Sequence, residues 1–173
     1  MQQHQTQAHR LAERAQNGDE AAFSTLVREA RSSMYAAALA ITRNEQDALD
    51  AVQEAILRSW DKLTSLRECQ YVKTWMVRIA IRCASSIARK RRPNSPLIEE
   101  IPAPKSDLAR RMDVRRAVDG LDEKTRICTV LYYLEDTSVA EIARMLAVSE
   151  GTVKSRLHRA RAKLKEVLSG YDE

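Results

Sequence analysis

"TSVAEIARMLAVSEGTVKSRLHRARAKLKEVL", residues 137–168, decides the fold of the chain's second half. Ser138 and Glu141 have the S-x-x-E spacing of a capping box, which opens a short helix with Ile142, Ala143 and Leu146 inward. Ala147, Val148 and Ser149 then form a tight turn, with Ser149 as N-cap of a second helix and Val148 plugging the angle between the two. In that second helix Val153, Leu157, Ala160, Leu164 and Val167 recur every three or four residues and share one inward face. Ser155, His158, Arg159 and Ala162 point the opposite way, with Lys154 and Arg161 on one shoulder and Arg156 nearer the core edge. Lys154, Arg156, Arg159, Arg161, Lys163 and Lys165 face only Glu150 and Glu166, which sit at the ends. A solvated helix usually mixes signs to gain i,i+4 pairs, so this face is suited to a polyanion. Two helices, a tight turn and a basic second helix make a helix-turn-helix, whose second helix enters the DNA major groove. Gly151 fits, because a missing side chain lets the helix N-terminus approach a phosphate.

Composition bounds the rest. The chain has 173 residues, 44% hydrophobic and 31% charged, a globular and soluble balance. Four glycines and sparse β-branched alternation predict an all-helical protein. A net charge of +5 suits a nucleic-acid partner, although its placement matters more than its size. Cys69, Cys83 and Cys128 lie far apart with no C-x-x-C, which predicts buried reduced thiols in a cytoplasmic protein and neither a zinc site nor a disulfide frame. No apolar run approaches transmembrane length and the N-terminus has no signal-peptide core, so membrane insertion is not expected. His4 and His9 read as solvated.

All four prolines fall in "RPNSPLIEEIPAPKSD", residues 92–107. The stretch interrupts two helical regions and reads as a flexible Pro-rich linker over 93–106, dividing a domain at 1–92 from one at 107–173. Stretched, it reaches about 45–50 Å. In the first domain Asp19 begins a helix with Phe23, Leu26, Val27, Ala30, Met34, Ala38 and Ile41 on one stripe. Asn44 caps another with Ala48, Val52, Ile56, Trp60 and Leu63 inward. The outer face of that helix sets Asp50 and Glu54 at i,i+4 with Gln53 beside them, a like-charge pair that Arg58 partly relieves. In residues 63–92, "LTSLRECQYVKTWMVRIAIRCASSIARKRR", Val72, Trp75, Ile79, Cys83 and Ile87 form an inward stripe. Tyr71, Arg78, Arg82 and Arg89 form a separate basic one, and cations with an aromatic on one face suit single-stranded DNA.

Residues 121–166, "LDEKTRICTVLYYLEDTSVAEIARMLAVSEGTVKSRLHRARAKLKE", resemble region four of the extracytoplasmic-function sigma factors, small bacterial transcription initiation subunits. "GTVKSRLHRAR" is close to that family's recognition-helix wording. Departures are mild: Asp122 stands where the family usually has Pro, and Asp136 and Ala147 where Gly is common. A second signature agrees, since "DAVQEAILRSW" resembles the region-two helix that docks on the clamp coiled coil of RNA polymerase. "YVKTW" followed by "RIA" resembles the same region, in which the preceding loop, here Thr64 to Gln70, receives a base extruded from the melted minus-ten element. The family often has Asn and Asp where this chain has Arg82 and Ser86, so the downstream base preference does not carry over. The resemblance runs from about Ala21 to Glu166 in the family's order.

The resemblance implies two small helical domains, sigma regions two and four, which bind core RNA polymerase and promoter DNA and are held by an anti-sigma factor. It implies polymerase contacts from Asp50, Gln53 and Glu54. Minus-ten contacts would come from Leu66, Arg67, Glu68, Cys69, Gln70, Tyr71, Lys73, Arg78 and Arg82. Minus-thirty-five contacts would come from Gly151, Thr152, Lys154, Ser155, His158, Arg159 and Arg161. The alternative from another class is a helix-turn-helix regulator that binds an operator as a dimer without docking on polymerase, which would require a self-association surface. No pair among the histidines, cysteines and carboxylates has catalytic or metal-ligand spacing, so no enzyme activity, metal or cofactor is expected.

Overall fold

The computed structural model describes residues 2–91 and 116–168. The expected linker at 93–106 and the start of the second domain at 107–115 lie outside them. The fold is all-α, with no strand among the described residues, and the chain divides into two compact units, Met1–Pro93 and Asn94–Glu173.

In the first unit α1 spans Gln2–Gln16, α2 Glu20–Thr42, α3 Glu45–Lys62 and α4 Val72–Lys90. Two short 3-10 turns, Leu63–Ser65 and Cys69–Tyr71, join α3 to α4. The expected caps start the helices: Asp19 accepts from the Ala22 N–H at 2.9 Å, and Asn44 from the Asp47 N–H at 2.9 Å. Helix α2 ends at Arg43, which adopts the left-handed conformation at φ 54° and returns its N–H to the Leu39 carbonyl oxygen. Helices α2, α3 and α4 pack on one another, and α1 lies on α2 and against the Cys69–Tyr71 turn. Arg91, just past α4, pairs with Asp47 in the first turn of α3 at 2.7 Å.

The core of this unit is built largely from small residues. Helix α3 buries Ala48, Ala51, Val52, Ala55 and Ser59, a stripe displaced from the expected one by the preference of close-packed helices for small side chains. Trp60, expected inward, sits at the rim, 39% exposed, with its ring edge-on to Phe23 at a centroid distance of 4.8 Å. Val27, Ile56, Trp75 and Ile87 are half-buried, whereas Met76, Val77 and Ala80 of α4 are fully buried.

In the second unit residues 116–119 form a helical turn that precedes α5 (Glu123–Tyr133), α6 (Val139–Leu146) and α7 (Glu150–Leu168). Asp122, where the resembled family has Pro, caps α5 by accepting from the Thr125 N–H at 3.0 Å. Helix α7 packs across α5 and α6. Val153, Leu157 and Ala160 are buried as expected, Leu164 is half-buried, and the expected inward side chain of Val167 lies outside the described side chains. In α6, Ile142, Ala143 and Met145 are buried while Leu146 is half-buried.

Candidate nucleic-acid and protein interfaces

The turn between α6 and α7 fixes the angle at which the basic helix is presented. Ser138 and Glu141 close the capping box reciprocally, with the Glu141 N–H donating to Ser138 Oγ at 3.3 Å and the Ser138 N–H to Glu141 Oε2 at 3.2 Å. At its other end α6 stops in a Schellman motif. The Val148 N–H reaches the Ala143 carbonyl oxygen at 3.0 Å and the Ala147 N–H that of Arg144 at 3.3 Å. This geometry requires Ala147 at φ 53°, ψ 48°, the left-handed region, which is why glycine suits the position. Asp136, the other position where glycine is common in the resembled family, is also left-handed at φ 48°. Ser149 then caps α7, taking the Thr152 N–H at 3.1 Å, and its hydroxyl lies 2.9 Å from that of Thr152.

With its inner side pinned by Val153, Leu157 and Ala160, α7 exposes Gly151, Lys154, Ser155, His158, Arg159 and Arg161. Thr152 is half-buried through its contact with Ser149. A Cβ on Gly151 would meet only Ser149 Oγ at 3.7 Å, so packing within the protein does not demand glycine there. Lys154 lies 3.9 Å from Glu150, an exposed pair of little energetic weight that leaves the cation available. Arg156 turns to the core edge, its Nη1 3.9 Å from Cys128 Sγ. Lys163 donates to the Gly120 carbonyl oxygen at 2.6 Å and the buried Arg126 to that of Leu121 at 2.6 Å. Two cations of this unit therefore terminate the preceding helical turn.

In the first unit the outer face of α3 exposes Asp50, Gln53 and Glu54. The like-charge repulsion is relieved on both sides: Gln46 Nε2 donates to Asp50 at 3.0 Å and Arg58 Nε to Glu54 at 2.6 Å. Periodicity did not reveal that the same face also carries Leu49, Leu57 and Trp60, 40%, 63% and 39% exposed. Carboxylates beside uncovered large apolar groups make a surface suited to a protein partner with an apolar and basic face.

The segment between α3 and α4 places Arg67, Glu68 and Gln70 at the surface and leaves Leu66 half-buried. Cys69 is turned inward, 6% exposed, with its thiol 3.5 Å from Gln16 Oε1. On α4, Lys73 and Arg82 are exposed and Arg78 is half-buried, as is Tyr71 just before the helix. Eight of the nine residues expected to meet melted DNA thus reach the surface at least in part, and Cys69 does not. Gln16, which holds this segment from α1, was missed, because nothing local in sequence links residues so far apart. All three cysteines are free and buried, and burial pushes each thiol up, so they stay protonated at neutral pH. Among the described residues no cluster of metal-ligating side chains occurs, and no helix is long and apolar enough to cross a membrane.

Residues 26–93 match the family model of sigma-70 region 2, and residues 111–164 that of sigma-70, region 4. The ECF RNA polymerase sigma factor SigM of Mycobacterium tuberculosis (strain H37Rv) is 35% identical over 158 residues, covering 89% of this chain and 80% of the relative. Among solved structures, CnrH in complex with the cytosolic domain of CnrY superposes with a TM-score of 0.74 at 27% identity, covering 96% of this chain and 99% of that one. The sigma factor RpoE from Bartonella quintana, solved with the anti-sigma factor NepR, shares the fold with a TM-score of 0.67 at 24% identity, over 84% of this chain and 95% of that one.

Proposed function

The chain belongs to the extracytoplasmic-function sigma factors of bacterial RNA polymerase, and on that premise we propose that it reads a promoter in two steps. The second unit, α5 to α7, takes the minus-thirty-five element as duplex. The first unit docks on core polymerase through α3 and takes the minus-ten element as a melted strand. The chain supplies recognition and strand capture in the cytoplasm, and the polymerase supplies the chemistry.

The observation that carries this reading is the one-sided build of α7. Its inward face is buried on α5 and α6, while Lys154, Ser155, His158 and Arg159 stand outward from the first three turns after a turn of fixed geometry. Arg159 and Lys154 can donate to guanine edges, and Ser155 is short enough to let both approach. The helix N-terminus, with Gly151 in its first turn, offers backbone N–H groups to a phosphate. The apolar and acidic face of α3 supports docking of Asp50, Gln53 and Glu54 on polymerase. The exposed Arg67, Glu68 and Gln70, with Lys73 and Arg82, support capture of a single strand, in which cations hold phosphates and a base leaves the stack. Release from an anti-sigma factor, the kind of partner with which RpoE was solved, would be the controlling step.

Run-off transcription with core polymerase, paired with permanganate reactivity of thymines, tests the proposal. Replacing Arg67, Glu68 and Gln70 by alanine, with the inward Cys69 left intact, is expected to abolish opening of duplex promoters and to spare upstream duplex binding. A pre-melted bubble should restore part of the activity, since it removes the unpairing cost of a few kcal/mol but not the lost contacts. Undiminished opening by the triple variant refutes the strand-capture assignment. A wild-type protein that opens no promoter with core polymerase is better described as a plain DNA-binding regulator.

A further inference from the structure

The segment assigned to the melted strand is held from outside itself. Its backbone bonds close two separate turns, the Leu66 N–H onto the Leu63 carbonyl oxygen at 3.1 Å and the Tyr71 N–H onto that of Glu68 at 2.9 Å. Gln16, the last residue of α1, bridges them. Its Nε2 donates to the Leu63 carbonyl oxygen at 2.9 Å and to that of Leu66 at 2.8 Å, and its Oε1 takes the Cys69 thiol at 3.5 Å. One side-chain amide thus uses both its hydrogens and its oxygen on three points of the segment. Gln16 is half-buried and Cys69 buried, so water is a poor substitute for these bonds.

We infer that Gln16 is a positioning residue for minus-ten recognition, fixing the Leu66–Arg67 half of the segment relative to the Glu68–Gln70 half without itself touching DNA. The inference rests on the proposed function of the segment and adds a residue from a different helix. It also accounts for Cys69: the thiol is the inward anchor that lets its neighbours Glu68 and Gln70 face outward. The base preference of the segment is therefore set partly from α1.

Gln16→Met, which keeps length and bulk but has no N–H, tests this with two readouts on the full chain. In peptide-resolved alkylation, the rate at Cys69 should rise by about tenfold, the scale of one or two lost hydrogen bonds, while that at Cys83 in the same unit stays unchanged. In run-off transcription across all four bases at each minus-ten position, the spread between best and worst base should shrink by about tenfold, at unchanged affinity for core polymerase. Equal acceleration at Cys69 and Cys83 would mean that Gln16 only supports the unit as a whole, and would overturn the inference. A wild-type base spread that survives intact in Gln16→Met overturns the inference alone. Absence of any base spread in the wild type overturns the reading of the segment together with the inference. Should Gln16→Met not fold, Gln16→Asn keeps the amide on a shorter stem that cannot reach all three points, and the same pattern is expected of it.

Discussion

Replacing Ala147 by glycine should stabilise the second unit. Ala147 sits at φ 53°, ψ 48° and is exposed, so the methyl group strains the backbone and contributes no burial in return. Holding an L-residue in the left-handed region costs about 1–2 kcal/mol, and glycine returns about 0.4–1 kcal/mol of that through the greater freedom of its unfolded chain. The two Schellman hydrogen bonds are backbone bonds and persist in the variant. The net gain is roughly 1 kcal/mol, or roughly 4–8 °C in Tm for a domain of this size. Trp60 and Trp75, the chain's two tryptophans, lie in the first unit, so tryptophan emission follows that unit while far-ultraviolet circular dichroism follows both. The shift should appear in the dichroism and not in the emission. Ala147→Val should move the dichroism the other way, because a β-branched side chain is worse at positive φ. An unchanged or lowered midpoint for Ala147→Gly, or an unchanged one for Ala147→Val, refutes the argument that this turn is strained.

Asp50→Lys or Glu54→Lys should weaken capture by core polymerase in a pull-down while leaving helicity intact, since both carboxylates are exposed. Arg159→Ala should cost about 1–3 kcal/mol on the specific upstream element and relax one base position, whereas Lys165→Ala should weaken all duplexes alike and reduce the salt slope by about one; equal losses for Arg159→Ala on specific and random DNA would contradict base readout. At Asp19 the Ala22 N–H, and after it the Arg14 guanidinium, hold the carboxyl below its ordinary range. A folded-state pKa below the unfolded value of about 3.9 means the contribution is complete above that value and is lost as pH falls through the folded pKa. Asp19→Asn should therefore flatten the acid limb of stability against pH, measured by urea unfolding of the first unit.

The features legible in the sequence were those with local causes. Asp19, Asn44, Ser138 and Ser149 cap helices because a short polar side chain can reach an N–H two or three residues on, and such spacing is readable directly. The inward face of α7 was legible because its apolar residues differ sharply from the cations around them. Helix α3 was harder. Periodicity favoured Ile56 and Trp60 for the core, but close packing selected the smaller Ala51, Ala55 and Ser59, leaving Leu49, Leu57 and Trp60 for the outside. Hydrophobicity ranks side chains by transfer energy, and a tight helix crossing ranks them by size. Lys163 offered no sign that its ammonium serves the Gly120 carbonyl oxygen, and Gln16 none that it reaches Leu63, Leu66 and Cys69. Both contacts depend on tertiary structure alone.

The alanines that line the first unit make it a gauge. Ala30, Ala37 and Ala38 of α2, Ala48, Ala51 and Ala55 of α3, and Ala80 and Ala84 of α4 are all buried, and small residues at a crossing bring helix axes toward the close end of the usual range, about 8 Å. The outer face of α3 and the segment ahead of α4 are therefore held apart by methyl groups that belong to neither surface. If the two surfaces hold polymerase and melted strand as proposed, an added branch on one of these alanines would lengthen the span between them while leaving every contact residue in place. On that reading, drift in the interior of this unit would change where along the promoter the strand is caught.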